Sequence, residues 1–516
     1  MEIHNAIVQR ISARVKQFYN DKTPFHIYHG STNSTRASTK LRSNTVDTGS
    51  LSRVLMIDQE RKVALVEPNV PMDMLVKATL PFGVIPPVVM EFPGITAGGG
   101  FAGTGGESSS YRHSFFDRTV NWIEIVVGNG DIITASATEN SDLFFGAACS
   151  FGTLGITTLL EIQLLELPVE PAVELTYFPI SMGVDEAVRK IEHLTPDPTY
   201  QYLDGIMFTK ERGVICAGSI TSAADHCSRR MQTFTRPSDP WFYMHAEKMA
   251  SNSSAEEVGP AKDLIPIADY LFRYDRGGFW VGKYAFEYFL FPQTKFMRWA
   301  LDNISHTRVM YHAVHKSGLF AEYTIQDVAV PYKGAKELID FVDNSFGKYP
   351  LWICPVRSTT AHVSGLVAEP RSQPDSDPDN PGMMLSVGVY GPGPKGREFL
   401  RFNHELEKLV NKLGGQKWLY ARTYYSAEDF WSIYDRSTRD DLRQKYHATY
   451  LPNLYQKVRA DREGSSGSSM HSSWISSLQE RIWRQWPICG LYGLMHTFWN
   501  KEYLLKGAKR SLTREG

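Results

Sequence analysis

Near the amino terminus Ile7, Val8, Ile11, Val15 and Phe18 recur at helical spacing among charged neighbours, which predicts an amphipathic helix with one buried stripe. Two β-rich runs follow, VLMID (54–58) and VALVEP (63–68), around a charged turn, and then a helical MDMLVKATL (72–80). The segment WIEIVVGNGDIITAS (122–136) predicts a hairpin, because two β-rich runs flank Gly128, Asn129 and Gly130, residues suited to a tight turn. ITTLLEIQLLEL (156–167) reads as a long strand or a strand pair. Beyond Pro168 strand and helix signals alternate: VELTYFPI, GVDEAVRKIEHL and GVICAG, then DVAVPY, GAKELIDFVDNSF and LWICPV. A Pro/Asp-rich segment, 369–382, predicts an exposed loop before LSVGVYG (385–391) resumes as a strand. The expected organisation is α+β: a glycine-rich domain over 1–168, a second sheet-and-helix domain over 169–463, and a linker with a carboxy-terminal extension over 464–516. There is no fixed-period repeat, which argues against a solenoid or a propeller.

Composition narrows the class without naming it. Of 516 residues 42% are hydrophobic and 22% charged, an ordinary globular balance. The 55 basic and 56 acidic side chains nearly cancel, so no basic excess points to nucleic acid. Cys149, Cys216, Cys227, Cys354 and Cys489 are scattered, odd in number and without CxxC spacing, which fits a reducing compartment and neither a disulfide scaffold nor a structural zinc site. No metal site is expected. The first twenty residues lack the apolar core of a secretory signal. The uncharged stretch Leu143 to Leu160 is long enough to span a bilayer, but its glycines and hydroxyls suit a buried core segment.

The far end differs. Residues 464–473 (GSSGSSMHSS) read as a flexible linker. From His471 onward Arg481, Arg484, Lys501, Lys506, Lys509, Arg510 and Arg514 outnumber Glu480, Glu502 and Glu515, a net of +4. Trp474, Trp483, Trp486, Phe498 and Trp499 alternate with those cations. The apolar run Ile488 to Trp499 is too short to cross a membrane and suits either its interface or a helix packed on the protein's own surface.

The most informative segment is PGITAGGGFAGTGGESSS, 93–110, in which seven glycines occupy the 13 positions from Gly94 to Gly106. Such density lets a backbone run against a ligand and aim N–H groups at it, phosphate being the usual anion. Gly98, Gly100 and Gly103 satisfy GxGxxG, yet Glu91-Phe92-Pro93-Gly94 is no central strand and ESSSYRHS opens no amphipathic helix, so a Rossmann dinucleotide site is rejected.

TAGGGFAGTGGESSS (96–110), TENSDLF (138–144) and GTLGI (152–156) resemble the flavin-binding (PCMH-type) domain of the vanillyl-alcohol-oxidase superfamily, and within it the delta-24 sterol reductases. The likeness continues through RGGFW (276–280), LWICPV (351–356), VGVYG (387–391), LYARTYYSAEDFW (419–431) and LRQKYHATYLPNLYQKV (442–458), covering roughly residues 25–460 in order. It implies an FAD-binding domain of two α/β subdomains followed by an antiparallel-sheet substrate, or cap, domain. By the same resemblance Thr96, Ala97, Gly98, Gly99, Gly100, Phe101, Ala102, Gly103, Thr104, Gly105, Gly106, Glu107 and Ser108 line the FAD, with backbone N–H groups on its diphosphate, and Gly155 and Ile156 meet it from the later turn. YHGSTNSTR (28–36) stands where the superfamily has its first phosphate-contacting loop. The Gly-Gly-His-Ser pattern of covalently flavinylated members is absent, so His29 is read as a loop histidine and the FAD as non-covalent. Asn140 and Asp142 read as turn or cap residues.

The implied chemistry is reduction of a carbon–carbon double bond in a sterol side chain, with NADPH reducing the flavin and an acid protonating the second carbon. Glu107, Tyr111, His113 and Arg276 are the candidate catalytic residues, and Tyr420, Arg422, Tyr424 and Tyr425 form a polar-aromatic cluster. PWFYMHAEKM (240–249) and FWVGKYAFEYFLF (279–291) supply aromatics for a sterol-sized slot or for an ordinary core. A flavin oxidase or dehydrogenase of specialised lipid or terpenoid metabolism, and a non-catalytic sterol-binding homologue, would keep most of these motifs. The sterol reductases usually begin with a membrane-spanning segment; here the carboxy-terminal extension is expected to provide a peripheral anchor instead, placing the protein at the endoplasmic reticulum membrane or in the cytoplasm.

Overall fold

The computed structural model describes residues 1–29, 42–226, 230–252, 259–358, 382–460 and 486–500. The expected linker at 464–473, the Pro/Asp-rich segment up to 381 and most of the basic-aromatic tail lie outside the described residues.

Two antiparallel sheets organise the chain. The first has five strands, in the spatial order Val54–Asp58, Val63–Val66, Gly155–Gln163, Val120–Val127 and Ile132–Ser136. Its last two strands form the expected hairpin, turning through Gly130 at φ +92°. The amino-terminal helix Glu2–Asn20 buries the predicted stripe, Ile7, Val8, Ile11, Val15 and Phe18, with Val126 and Ile156 of this sheet. His4, fully buried, hydrogen-bonds Glu67 at 2.9 Å and Glu124 at 3.2 Å, fixing the helix across two strands' worth of sequence.

The second sheet has eight strands, and every neighbouring pair in it is antiparallel. Strand alternation sends successive side chains to opposite faces. Leu351 and Ile353 of Leu351–Arg357, with Val387 and Val389 of Met383–Pro392, pack against the helices Val184–Leu194, Ala335–Ser345 and Arg397–Lys412. Trp352, Cys354 and Val356, with Tyr390, face the glycine-rich unit instead. The chain is therefore an α+β protein whose large sheet is covered by helices on one face and turned toward the first sheet's unit on the other.

After this sheet the chain returns to the amino-terminal unit. Ala448 and Leu451 join the core beneath the first helix. Asp142 accepts hydrogen bonds from Lys445 at 2.6 Å and Tyr446 at 2.8 Å, while Asn140, at φ +47°, starts the helix Ser141–Ala147; both are the turn and cap residues expected. Leu143 to Leu160 is the interior segment expected, running from that helix into Gly155–Gln163, and among the described residues no helix is long and apolar enough to cross a membrane. The four described cysteines are free and buried.

Candidate functional site

The glycine run is not an open loop. Ala97–Gly103 is a short helix, with Thr96 as its N-cap accepting from the Gly99 amide at 3.2 Å. The amides of Ala97, Gly98 and Gly100 donate to the carbonyls of Val70, Pro68 and Thr96, and that of Gly105 to Gly100. This corrects the expectation of bare N–H groups along the whole run: the amides at its start close the helix onto its support. Its glycines divide into two kinds. A Cβ on Gly98 would stand 2.7 Å from the Pro68 side chain and 3.0 Å from its carbonyl oxygen, so this position is glycine because the helix is pressed onto Pro68, whereas one on Gly100 would meet the flexible end of Met90 at 2.4 Å and the Phe116 ring at 3.1 Å. A Cβ on Gly103 would meet nothing within 4 Å.

That open side faces a cavity of about 590 Å³, inside the roughly 300–1,000 Å³ range of cofactor and ligand sites. One wall is the glycine-rich unit: Thr96, Gly98, Gly99, Gly100, Ala102, Gly103, Gly105, Gly106, then Gly155 and Ile156. The other is the inner face of the large sheet, through Asp327, Trp352, Val356, Ser386 and Tyr390, extended by Phe279, Tyr311, Trp418 and Tyr420. His26, His29, Lys457 and Arg459 also line it. Ala97, Phe101, Thr104, Glu107 and Ser108 are not lining residues: Phe101 packs into the core against Phe144, and Thr104 gives its carbonyl to Trp418.

The four candidate catalytic residues are dispersed. Glu107-Ser108-Ser109-Ser110 is a buried hydrogen-bonded hub, with the Glu107 carboxylate accepting from Ser108 at 2.7 Å and from Ser109. It joins the glycine run to the large sheet, since the Leu203 amide donates to the Ser108 carbonyl at 2.8 Å. Tyr111 is buried in the helix-covered core, its hydroxyl donating to the Tyr200 carbonyl, and burial pushes that hydroxyl up to about 12. Burial, with Arg112 beside it, lowers the His113 pKa. Arg276 is fully engaged as a scaffold: Nε donates to Asp302 at 2.7 Å, and the terminal nitrogens to the carbonyls of Phe234, Pro237 and Asp239. Tyr111, His113 and Arg276 are absent from the cavity wall. Of the Tyr420 cluster only Tyr420 reaches it; Tyr424 and Tyr425 bind Glu407. Trp241, Phe242 and Tyr243 belong to the core, whereas Phe279 lines the cavity.

Sequence reading missed two carboxyl groups. Glu91 is 7% exposed, lines the cavity, and its Oε1 has no hydrogen-bond partner among the described residues. Burial first, then the nearby Glu107, push its pKa well above the carboxylate range, against the pull of Arg273. Asp327 lines the same cavity, accepts from the Tyr390 hydroxyl, and is pushed up to about 7 by burial despite Tyr390 and Lys417. For Glu91 a signal existed: it is the one charged residue between Lys77 and Glu107. Asp327 carried no signal, since it sits inside an ordinary strand.

The donor set suits a flavin dinucleotide. Gly99 and Gly103 give a side-chain-free surface for a flat ring or sugar, Lys457 and Arg459 bring positive charge to the wall, and Trp352, Tyr390 and Trp418 bring aromatic faces. Among the described residues no group of histidines, cysteines and carboxylates could hold a metal ion.

Comparison with known proteins agrees with this geometry. Residues 6–136 match the family described as FAD binding domain. The human Delta(24)-sterol reductase is 26% identical over 426 residues, covering 79% of this chain and 76% of that protein. The Arabidopsis thaliana Delta(24)-sterol reductase is 27% identical over 450 residues, covering 81% and 77%. The resemblance read from the glycine run and the later motifs is thus borne out across most of the chain.

Proposed function

We propose that this protein is an FAD-dependent oxidoreductase that reduces a carbon–carbon double bond in a sterol side chain, with NADPH as electron donor. The observation that carries the reading is the cavity between the glycine helix and the aromatic inner face of the large sheet. On this reading 1–168 form a PCMH-type FAD-binding domain of two α/β subdomains, 169–463 the substrate domain with its flavin-side return, and 464–516 the extension. FAD, held non-covalently, supplies hydride transfer. The chain's part is to bind the dinucleotide along Thr96 to Gly106 and against Gly155 and Ile156, with Lys457 and Arg459 offsetting diphosphate charge, and to keep water from the reacting carbons.

Apolar continuity supports a lipid substrate. Phe92, Phe279, Tyr311, Tyr390 and Tyr420 line both the main cavity and a smaller apolar pocket, which shares Val281, Met310, Val314 and Tyr323 with a third. That outer pocket is closed by Gly490 and Leu494 of the carboxy-terminal helix Ile488–Asn500. Each Å² of apolar substrate surface buried there contributes about 25 cal/mol. The same helix exposes Leu491, Met495 and Trp499, with Trp486 just before it, to solvent. This face suits a bilayer interface, so the proposed location is the endoplasmic reticulum membrane, held peripherally.

The test is purification followed by spectroscopy. A flavin absorption band, bleached anaerobically by NADPH and restored by a side-chain-unsaturated sterol with formation of the saturated product, is the expected result. Protein that stays colourless after incubation with FAD, or a bound flavin that no nicotinamide reduces, overturns it.

A further inference from the structure

We propose that Glu91 is the proton donor of this site, delivering its carboxyl proton to the alkene carbon that does not receive hydride. The inference rests on the reading above that the cavity holds a flavin and an alkene.

The geometry singles out Glu91. It is more than nine-tenths buried, it borders the cavity beside the glycine helix, and its Oε1 has no partner among the described residues. Among the other buried carboxyl groups Asp117 and Asp204 also each leave Oδ1 without a partner among the described residues, but neither lines the cavity. Both oxygens of Glu107 accept serine hydroxyls, and Glu107 does not line the cavity. Asp204 takes Arg273 and Tyr274 at 2.8 Å and Trp352 at 3.1 Å on one oxygen. Asp327 accepts from Tyr390 and faces Lys417.

Charge balance decides where the proton resides. Glu91, Glu107 and Asp204 all feel the same guanidinium, Arg273, which forms its ion pair with Asp204. Three buried carboxylates cannot all ionise around one cation. Glu107, hydrogen-bonded by two serines, is the better anion. Glu91 has no serine donors, and burial together with the nearby Glu107 favours its protonated form.

The step balances simply. One alkene carbon receives hydride from the reduced flavin, itself reduced by the nicotinamide. The alkene π pair forms the second C–H bond with the Glu91 proton as the carboxyl O–H breaks. The alkene is reduced, the flavin oxidised, and Glu91 is left as a carboxylate that regains a proton from solvent.

The experiment uses Glu91→Gln in the full chain, with Asp327→Asn beside it. In the holoenzyme Glu91→Gln is expected to keep the flavin band and its reduction by NADPH, while reoxidation by the sterol alkene slows about 10²–10⁴-fold, the usual contribution of a general acid. A readout without flavin or substrate is also available. Between the ordinary carboxylate pKa and its own raised value, native Glu91 holds a proton that the unfolded chain releases, so it lowers stability as pH rises. The apoprotein melting temperature of Glu91→Gln should therefore gain on the parent's as pH goes from about 5 to about 8, and an infrared band of a protonated carboxylic acid should vanish. Unchanged alkene reoxidation in Glu91→Gln, its loss in Asp327→Asn alone, or no acid band lost on substitution overturns the assignment. If the flavin reading itself fails, the infrared and melting results still decide whether Glu91 is protonated.

Discussion

The indole N–H of Trp418 donates to the carbonyl oxygen of Thr104 at 2.9 Å, joining positions 314 residues apart. Trp418 follows the last strand of the large sheet, and its own amide donates to the Asp327 carbonyl at 3.1 Å. Thr104 ends the glycine helix in the left-handed region, at φ +49°. This hydrogen bond is thus one of those that tie the glycine run to the large sheet. Trp418→Phe leaves the Thr104 carbonyl without its donor and should cost about 1 kcal/mol in denaturant unfolding, with faster flavin loss on dilution. Unchanged midpoint and flavin retention would count against a tie at this position.

Gly98 and Gly103 should part company on replacement by alanine. Gly98→Ala drives a Cβ into Pro68, side chain and backbone, and should destabilise the apoprotein. Gly103→Ala meets no protein atom within 4 Å and its backbone is not left-handed, so the apoprotein should melt no lower. Its methyl projects into the cavity, so FAD affinity should fall; titration of both apoproteins with FAD measures this.

Arg273 and Asp204 are both fully buried and 2.8 Å apart. Asp204→Asn removes the countercharge from a guanidinium that has no access to water. A loss of about 3–5 kcal/mol is expected, as for other broken buried pairs. Equilibrium unfolding at constant pH tests it, and a loss below 1 kcal/mol contradicts the assigned role.

His306 sets a pH dependence. Burial disfavours its charge, but hydrogen bonds to Asp275 at 2.6 Å and to Asp302 raise its pKa to about 9. A raised histidine contributes stability that is complete below its unfolded pKa of about 6.5 and is lost as pH rises through the folded value. The difference in melting temperature between the parent protein and His306→Gln should therefore shrink from pH 6.5 to pH 9. A constant difference across that range rejects the assignment.

The carboxy-terminal helix packs closely on Thr307–Ser317: a Cβ on Gly493 would lie 2.4 Å from the Ala313 carbonyl, and one on Gly490 would lie 2.6 Å from the Tyr288 ring. Its outward face is apolar. Deleting 464–516 should release the protein from microsomes and uncover Tyr288 and Phe289. Unaltered sedimentation of the truncated chain with membranes would refute the anchor.

Periodicity was enough for part of the elements, because burial repeats every 3.6 residues in a helix and every second residue in a strand; the helices Thr307–Ser317, Arg397–Lys412 and Arg436–Lys445 were not read from it. Ile7 to Phe18, the hairpin at 122–136 and the alternation after Pro168 were legible for that reason. A ligand-facing backbone was legible in the glycine density of Gly94–Gly106, and it was the resemblance of 96–110, 138–144 and 152–156 to a known flavin domain that made the ligand a flavin. The form of the run was not: that four of its seven glycines sit in a capped helix depends on the support at Pro68 and Val70, residues that a local pattern does not connect to it.

The sequence by itself determined the first helix, the hairpin at 122–136 and the strand–helix alternation after Pro168, and its motifs pointed to a glycine-lined flavin surface. Tertiary structure decided which side chains meet there. The antiparallel register setting Trp352 opposite Gly388 turns Trp352, Ser386 and Tyr390 to the cavity, and the same packing withdraws Arg276 into its four-way scaffold and leaves Oε1 of Glu91 without a partner among the described residues. Those outcomes depend on desolvation and on neighbours hundreds of residues away, and neither is written in local spacing.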